Sequence, residues 1–459
     1  MPRSLFALAL ALTTSFLAAA QDAPVVDPVE ALTQRLEELE QEHRILARKL
    51  EIDAEKTTEA AKTKASMSVG EKGFTLQSAD KLFTVKLKGV LQADGRAYLA
   101  DDVLPLNDGF VLRRVRPTLE ATFMDLVDVR LTPDFANSTV VLFDAWIDVR
   151  PRPWLKLRVG KFKPPVGLER LQSASWTHFV ERASPTALVP NRDLGAQIFG
   201  DIAGGGLQYA FGVFSGGVDG AVNEADTNEN KEIAGRIFTH PFRFADFKPL
   251  AGFGIGLAGS FGRQRGTAAA NQLPSFRSPG QQTFFSYATD AIANGNRTRW
   301  SPQAYLYVGP VGVLAEYVSS AQSVTRAGQT TRVDNAAWNT TVSFVITGED
   351  ASYDGVQAKK PFSVADGQPG AIELVARYHV LRVDQDVFNA KLANPSSAAQ
   401  RSTSFGVGVN WFLNRNFRVS MDFERTWFVG GAAGTIANRF LPVDRPAENV
   451  LLARLQVSF

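Results

Sequence analysis

Apolar and polar residues alternate with a period of two along most of the chain from Phe74 onward, and this pattern constrains the fold more than any other feature. In one segment, for example, Val115 and Leu119 alternate with Arg116 and Glu120. Successive side chains of a β-strand point to opposite faces, so each alternating segment predicts a strand with one apolar and one polar face. The same pattern recurs in residues 83–94, 155–159, 417–424 and 451–459.

Strands of this kind can pack as soluble sandwiches or close into a transmembrane barrel. The barrel is favoured because the last alternating segment ends in Phe459 and because aromatic residues lie near predicted strand ends, as in interfacial girdles. Closure also removes unpaired strand edges. At roughly 24 residues per strand and connection, residues 70–459 predict an all-β, transmembrane antiparallel β-barrel of about 16 strands. The aromatic residues concerned are Tyr98, Trp154, Trp300, Tyr305, Tyr307, Trp411 and Trp427.

The N-terminus predicts export. Arg3 is followed by an apolar run and by three alanines that end at Ala20, the arrangement of a signal peptide that is removed on secretion. The apolar run is too short to cross a bilayer, and no run of about 18 apolar residues follows it. We therefore predict a signal peptide over residues 1–20 and a mature protein in the bacterial outer membrane.

Residues 21–69 are predicted to form a periplasmic coiled coil and a linker. Apolar residues step by three and four through three heptads, with charged residues around them. His43 occupies an a position, where we expect it to set the register and not to bind a ligand. The alternative is an amphipathic helix that lies on its own domain. After Asp53 the apolar stripe ends, and residues 54–68 are expected to be linker. The heptad positions are Val29, Leu32, Leu36, Leu39, His43, Leu46 and Leu50.

Composition argues against catalysis and against cofactors. Cysteine is absent, which excludes disulfides, thiolate nucleophiles and Cys-ligated metals. The four histidines are scattered, and the formal net charge of +2 is too small to indicate nucleic-acid binding. His178 is near Ser173 and Ser175, but no G-x-S-x-G motif accompanies them. We expect no catalytic residue, metal or cofactor, and a barrel hydrolase that uses His178 is a remote alternative.

Several motifs occur in a fixed order along the predicted barrel. Gly160–Glu169 reads GKFKPPVGLE and is followed by SASW at Ser173–Trp176 and by Glu181-Arg182. This set resembles the phosphate-selective porin O and P family of bacterial outer-membrane anion porins. Further matches are RRVRP at Arg113–Pro117, ITGEDASY at Ile346–Tyr353, KPF at Lys360–Phe362 and AIELVARY at Ala371–Tyr378.

The resemblance implies a homotrimer of 16-stranded barrels with a long third loop folded into the lumen. It also implies an arginine ladder that guides anions to a narrow constriction. The loop maps onto residues 162–193 of this chain. The chain departs from the family at one point, because members place a lysine deep in this loop and the position before Trp176 is Ser175.

Eight cations are the candidate anion-binding residues. Arginine suits phosphate because its planar fork donates to two oxygens at once. The alternative is that these cations pair with neighbouring carboxylates, such as Glu120, Asp144, Asp148, Glu169, Glu181 and Asp193, and only brace the wall. The candidates on strands are Arg114, Arg116, Lys156 and Arg158, and those on the loop are Lys163, Arg170, Arg182 and Arg192.

The preferred hypothesis is an outer-membrane porin that admits small inorganic anions, with phosphate or polyphosphate as the substrate class, by passive diffusion through an Arg/Lys-lined channel. Its partners are then small anions, outer-membrane lipid and two further copies of the chain. The alternative is a structural barrel whose coiled coil tethers the envelope or drives trimerisation, with only general porin activity.

Overall fold

A computed structural model describes residues 27–71, 73–99, 106–136, 140–226, 229–245, 248–436 and 439–459. The predicted signal peptide, residues 1–20, lies outside the described residues. The chain divides into two units, Met1–Lys64 and Ala65–Phe459. Within the described ranges, no helix combines the length and the apolar character that crossing a bilayer requires.

The first unit contains one long helix, α1, over Pro28–Thr63. It begins after Asp27, whose carboxylate accepts a hydrogen bond from the backbone N–H of Val29 at 3.0 Å. The apolar heptad positions are exposed in the single chain, with Leu32 70% and Leu50 68% exposed. The helix continues past Asp53 into the predicted linker, because the alanines, lysines and glutamates there have high helix propensity.

Sixteen antiparallel strands of the second unit close into a barrel, which confirms the predicted fold class. A hairpin of β1 (Ser66–Gly70) and β2 (Gly73–Gln77) precedes them and pairs with the first barrel strand. The barrel strands are β3 (Phe83–Tyr98), β4 (Gly109–Phe123), β5 (Val127–Asp134), β6 (Val141–Arg152), β7 (Leu155–Phe162), β8 (Asp193–Ile202), β9 (Leu207–Phe214), β10 (Glu232–Thr239), β11 (Phe253–Arg265), β14 (Ile292–Val308), β15 (Val311–Arg326), β16 (Gln329–Val345), β17 (Ala371–Arg382), β18 (Ala399–Phe412), β19 (Phe417–Ile436) and β21 (Glu448–Ser458).

Smaller elements lie in the connections. The strands β12 (Ser275–Arg277) and β13 (Thr283–Ser286) form a separate hairpin, and β20 (Arg439–Asp444) pairs with the end of β19. The short helices are α2 (Leu168–Leu171) and α3 (Asp386–Asn389), with 3-10 turns at Ser184–Leu188, Ala203–Gly205 and Lys248–Leu250.

The first and last barrel strands close the barrel. β21 pairs with β3 from Val450 opposite Tyr98 to Ser458 opposite Val90. The backbone of Phe459 extends this pairing, since its N–H and C=O both bond to Gly89 at 3.0 Å. A Cβ at Gly89 would lie 2.8 Å from the Phe459 ring, so a larger residue there would displace the ring.

The barrel is apolar outside and polar inside. On β19, Met421 is 48% exposed while its neighbour Asp422 and the next inward residue, Glu424, are fully buried. On β11 the outward residue Leu257 is 57% exposed. This is the arrangement expected of strands that face lipid on one side and a polar lumen on the other.

The two ends of the barrel differ in their connections. The end that carries the start of β3 and the end of β21 has mostly short turns, such as residues 153–154 between β6 and β7. The opposite end has long connections, among them residues 163–192 and 266–291. Both long connections contain secondary structure of their own and contact the inner wall.

We expect the closure of the barrel to depend on a buried ion pair. Arg454 on β21 donates two hydrogen bonds of 2.7 Å to Asp94 on β3. Arg454→Ala leaves the carboxylate buried and unpaired, so the free energy of unfolding should fall by about 3 kcal/mol. Urea unfolding in phospholipid vesicles, followed by tryptophan fluorescence, measures it.

The control for this variant is Leu455→Ala on the same strand, which removes an outward side chain. Its expected effect is about 1 kcal/mol or less. Equal losses of stability in the two variants would contradict the role given to the ion pair.

Candidate functional site

The connection between β7 and β8, residues 163–192, lies inside the barrel against its wall. Its apolar residues Val166, Leu168, Leu188 and Val189 are fully buried. The backbone N–H of Leu168 donates to Glu316 of β15 at 2.6 Å. A loop from one side of the barrel therefore reaches strands on the other side, and we call residues 163–192 the lumen loop.

Polar side chains of the far wall satisfy the backbone of the lumen loop. Arg418 on β19 donates to the carbonyls of Ser175 and Thr177 at 3.2 and 2.7 Å. Arg377 on β17 donates to the carbonyl of Glu181 at 2.8 Å. A buried backbone group without a partner is costly, so these arginines fix the path of the loop.

A connection from the opposite end of the barrel supports the lumen loop as well. Tyr353, in residues 346–370, donates its hydroxyl to the carbonyl of Leu168 at 2.7 Å, and Gln172 donates to the carbonyl of Tyr353 at 2.7 Å. Gly355 has a φ of +92°, and a Cβ there would overlap the ring of Trp176. The loop is thus held between the wall and this connection.

The β12–β13 hairpin crosses the end of the barrel that carries the long connections. Its aromatic residues Phe276 and Phe285 are fully buried and stack at 5.3 Å between ring centroids. Its tip is held at the closure seam, where Tyr98 donates to the carbonyl of Gly280 at 2.5 Å and Ser278 donates to Glu448 at 2.7 Å. The hairpin covers part of the lumen on that side.

A cavity of about 1550 Å³ runs between the lumen loop and the wall. Lysine and arginine side chains outnumber aspartate and glutamate side chains among its lining residues. Seven of the eight predicted cations line it, and Lys156 does not. The low-dielectric wall around an excess of cations concentrates positive potential in the lumen. The cations that line it are Arg114, Arg116, Arg158, Lys163, Arg170, Arg182 and Arg192.

Four of the predicted residues form ion pairs with carboxylates. This is the bracing arrangement considered as the alternative for each cation. Arg116 and Arg192 also both lie over the ring of Phe143, at 3.6 and 4.0 Å from its centroid. The donors of these residues are largely occupied. The pairs are Arg116 with Asp134 at 2.7 Å, Lys156 with Asp201 at 3.0 Å, Arg158 with Asp148 at 2.6 Å and Arg192 with Asp144 at 2.7 Å.

The other four predicted residues form no ion pair with any carboxylate of the described ranges. They bond to neutral oxygens, so no carboxylate of the described residues contacts their charged groups directly. Arg114 donates to the Gln92 amide oxygen, and Arg170 donates to the carbonyl of Thr186. Lys163 donates to the carbonyls of Leu171 and Gln172 at 3.0 and 2.8 Å, and Arg182 to those of Glu169 and Gln172 at 2.8 and 2.9 Å.

Cations of the lumen loop repel one another. Burial, together with repulsion by Arg192 and Arg182, holds the pKa of Lys163 well below its usual value. Burial and the same two neighbours lower the pKa of Arg170 to about 9, so it stays charged at neutral pH. A small anion that entered this cluster would relieve the repulsion.

One carboxylate of the lumen loop is strongly paired. Burial opposes ionisation of Glu181, but Arg113 outweighs it and the pKa is lowered to about 2. Arg113 reaches Glu181 at 2.6 Å. This acid therefore remains ionised at neutral pH, where its charge is matched by Arg113.

Arg113 is a lumen residue that sequence reasoning missed. The register between β3 and β4 shifts so that Gln92 pairs with Arg114 and Ala93 with Leu112. Arg113 is the extra residue of a β-bulge, so two consecutive arginines line the lumen. The two consecutive arginines of the RRVRP motif, Arg113 and Arg114, are the sequence feature from which this bulge could have been predicted. Other lining cations that were not singled out are Lys86, Lys88, Arg130, Arg236, Arg277 and Arg415.

Two of the four histidines contact acids and hold the lumen loop. His178 bonds to Glu373 at 3.1 Å and to the hydroxyl of Tyr307 at 3.3 Å. Ser184 contacts Nδ1 of His379 at 2.7 Å, and Nε2 of that ring faces Glu424 at 3.3 Å. In serine hydrolases the serine contacts Nε2 of the histidine and the acid contacts Nδ1. His379 has the opposite arrangement, and its contact with Ser184 positions the loop.

The sequence model described as "Phosphate-selective porin O and P" matches residues 85–459. Porin O of Pseudomonas aeruginosa is 24% identical over 396 residues, which cover 77% of this chain and 85% of that protein.

Two solved structures share the fold at low sequence identity. The anion-selective porin from Comamonas acidovorans superposes with a TM-score of 0.51 at 11% identity, over 82% of this chain and 100% of that chain. The trimer form of OmpT from Vibrio cholerae gives 0.50 at 10% identity, over 82% and 99%.

The lumen loop should narrow the channel only while the wall holds it. Arg418→Ala removes the hydrogen bonds to the carbonyls of Ser175 and Thr177. We expect a larger single-channel conductance with greater current fluctuation in planar bilayers. Met421→Ala, an outward change on the same strand, serves as the control and should conduct like wild type. Wild-type conductance from folded Arg418→Ala would show that this contact does not set the pore width.

Proposed function

The chain belongs to the phosphate-selective porin O and P family, and on that premise we propose that it forms a channel selective for small inorganic anions. As a porin it resides in the bacterial outer membrane. Transport is passive diffusion through the lumen. Anions enter because the lumen carries cations that no carboxylate of the described residues matches.

The observation that carries this proposal is the group of Arg114, Lys163, Arg170 and Arg182, which bond only to neutral oxygens. A pore lined by matched ion pairs would have little preference for either sign of charge. An unmatched cation attracts an anion and repels another cation over a distance of about a Debye length. The pairing pattern therefore favours anion selectivity.

Phosphate is the substrate class that the donors suit best. Guanidinium and ammonium groups form charge-assisted hydrogen bonds to phosphate oxygens. Conduction also requires that the anion leave, which several weak sites in series permit. The paired cations of the wall, such as Arg116 and Arg158, supply such sites between the loop and the pore ends. The description of the matched family as phosphate-selective supports this class, and the neighbour described as anion-selective supports the passage of anions in general.

We propose that the end with short turns faces the periplasm, with residues 21–69 on that side after removal of the signal peptide. Outer-membrane barrels have short periplasmic turns and long external loops. The exposed apolar band of the strands then contacts lipid. We propose a homotrimer, the assembly named for one structural neighbour.

Ion selectivity of the reconstituted protein tests the proposed function. In asymmetric KCl the reversal potential should indicate permeation of chloride over potassium. Phosphate should block the chloride current, and Arg114→Gln should weaken this block by about tenfold, since one charge-assisted hydrogen bond contributes about 1.5 kcal/mol. A potassium-selective channel would refute the proposal.

Arg152→Gln is the matched control for Arg114→Gln. It removes the same charge from an exposed barrel residue that neither lines the cavity nor forms an ion pair with a carboxylate of the described residues. Its block by phosphate should equal that of wild type. If the two variants lost the block equally, net charge and not direct contact would explain the effect.

A second role rests on the exposed heptad stripe of α1. Leu36 and Leu39 are 60% and 53% exposed in the single chain, and such a stripe is stable when buried against other helices. We propose that copies of α1 form a parallel coiled coil that supports the trimer. In a parallel arrangement Arg35 at a g position meets Glu40 at the e position of the next chain, which is favourable.

Leu39→Glu tests this second role. A buried glutamate in the seam should lower the temperature at which trimers dissociate on semi-native gels. Gln34→Glu, on the opposite face of α1, adds the same charge and should leave that temperature unchanged. Unchanged trimers in both variants would remove the coiled coil from the assembly while leaving the channel proposal intact.

A further inference from the structure

Three arginines point outward from adjacent strands near the end of the barrel that carries the long connections. Arg332 of β16, Arg382 of β17 and Arg401 of β18 are all exposed. Each arginine lies on the same face of its strand as apolar residues that point outward. Arg382, for example, shares its face with Leu374 and Tyr378, which are 45% and 41% exposed. We call these three residues the outer arginine patch.

The patch places like charges side by side. Arg382 and Arg401 are directly opposite each other in the β17–β18 register, and like charges in that relation destabilise a sheet. No ion pair joins either side chain to a carboxylate of the described residues. The guanidinium of Arg332 has one contact, to the hydroxyl of Thr298 at 3.4 Å. With no carboxylate in direct contact, the facing guanidinium groups of Arg382 and Arg401 form a positively charged surface that attracts anions.

The patch lies beside an aromatic belt. Trp338 and Tyr378 pack with ring centroids 5.5 Å apart, and Tyr378 pairs with Phe405 of the next strand. All three rings are about two-fifths exposed on the outer face. Rings in this position mark the boundary between hydrocarbon and headgroups. The arginines stand beyond that boundary, at the level of lipid headgroups.

We propose that the outer arginine patch binds the phosphate groups of an anionic lipid of the outer leaflet. The inference rests on the proposed orientation, in which the long connections are external. Guanidinium forks at Arg382 and Arg401 would hold one phosphate between them. Acyl chains would lie against Tyr378 and Phe405. A free phosphate ion gains nothing from those rings, so the surface favours a lipid.

Outward arginines also lie beside aromatic residues elsewhere at this end, at Arg263 and Arg265 on β11 with Phe261, and at Arg425 on β19 with Trp427. In the described strand pairings, only Arg382 and Arg401 are directly opposite each other. The outward residues of β4 at this end, Phe110 and Leu112, offer apolar surface without a cation. The outer arginine patch is therefore the place on the described wall where two guanidinium groups can hold one phosphate between them.

Native mass spectrometry of the purified protein in detergent tests this inference. The probe is hexa-acylated lipid A with both phosphates, and its dephosphorylated form is the comparison. Arg382→Gln/Arg401→Gln should bind the phosphorylated probe at least about tenfold more weakly than wild type. Arg382→Lys/Arg401→Lys keeps the charge and should retain part of the affinity. Inorganic phosphate at millimolar concentration should not displace the lipid.

The matched control is Arg152→Gln/Arg243→Gln, which removes two exposed arginines at the opposite end of the barrel. It should bind the probe like wild type. Equal binding of both forms of the lipid, or equal binding by both double variants, would overturn the inference. Arg382→Gln/Arg401→Gln should keep the chloride-over-potassium selectivity of wild type, because the patch lies outside the lumen. A wild-type channel without anion selectivity would contradict the proposed function but not the lipid site.

Discussion

The structure depends on one constraint, which is that a sheet in a bilayer must pair every backbone N–H and C=O within itself. Closure of β21 onto β3 meets this constraint, and Phe459 extends the pairing to Gly89. A closed sheet with lipid outside has only its inner face for polar side chains. Charged residues therefore accumulate in the lumen, where they must find partners or remain unmatched.

That accumulation explains how the lumen loop is held. Its buried backbone groups would be unsatisfied in an apolar cavity, and the wall supplies donors such as Arg418 and acceptors such as Asp422. Arg377, which also bonds to the loop, is in turn matched by the wall acid Glu424 at 2.6 Å. Matched charge on the wall thus serves folding, while the unmatched cations, Arg114 on the wall and those of the loop, are left to act on ions.

The fold could be predicted from sequence because its signals are local. Alternation assigns each side chain to a face, and chain length bounds the strand number. The pairing of charges could not be predicted, since Asp94 and Arg454 lie at opposite ends of the barrel sequence and meet only on closure. A bulge at Arg113 shifts the phase of β4, which no alternation rule anticipates. Lys156 is on the inward face of β7 by alternation, but it lies next to the β6–β7 turn and does not line the cavity.

Pairing, and not the presence of a cation, separates structural from functional residues in this lumen. Arg158 and Arg114 both point inward from strands, yet Arg158 gives two donors to Asp148, while Arg114 has only an amide partner. An anion that reached Arg158 would have to compete with a carboxylate, whereas one that reached Arg114 would not. The positions at which an anion can bind along the pore are therefore those where a cation has no carboxylate partner. A lumen with every cation matched would be a more stable barrel and a poorer anion channel.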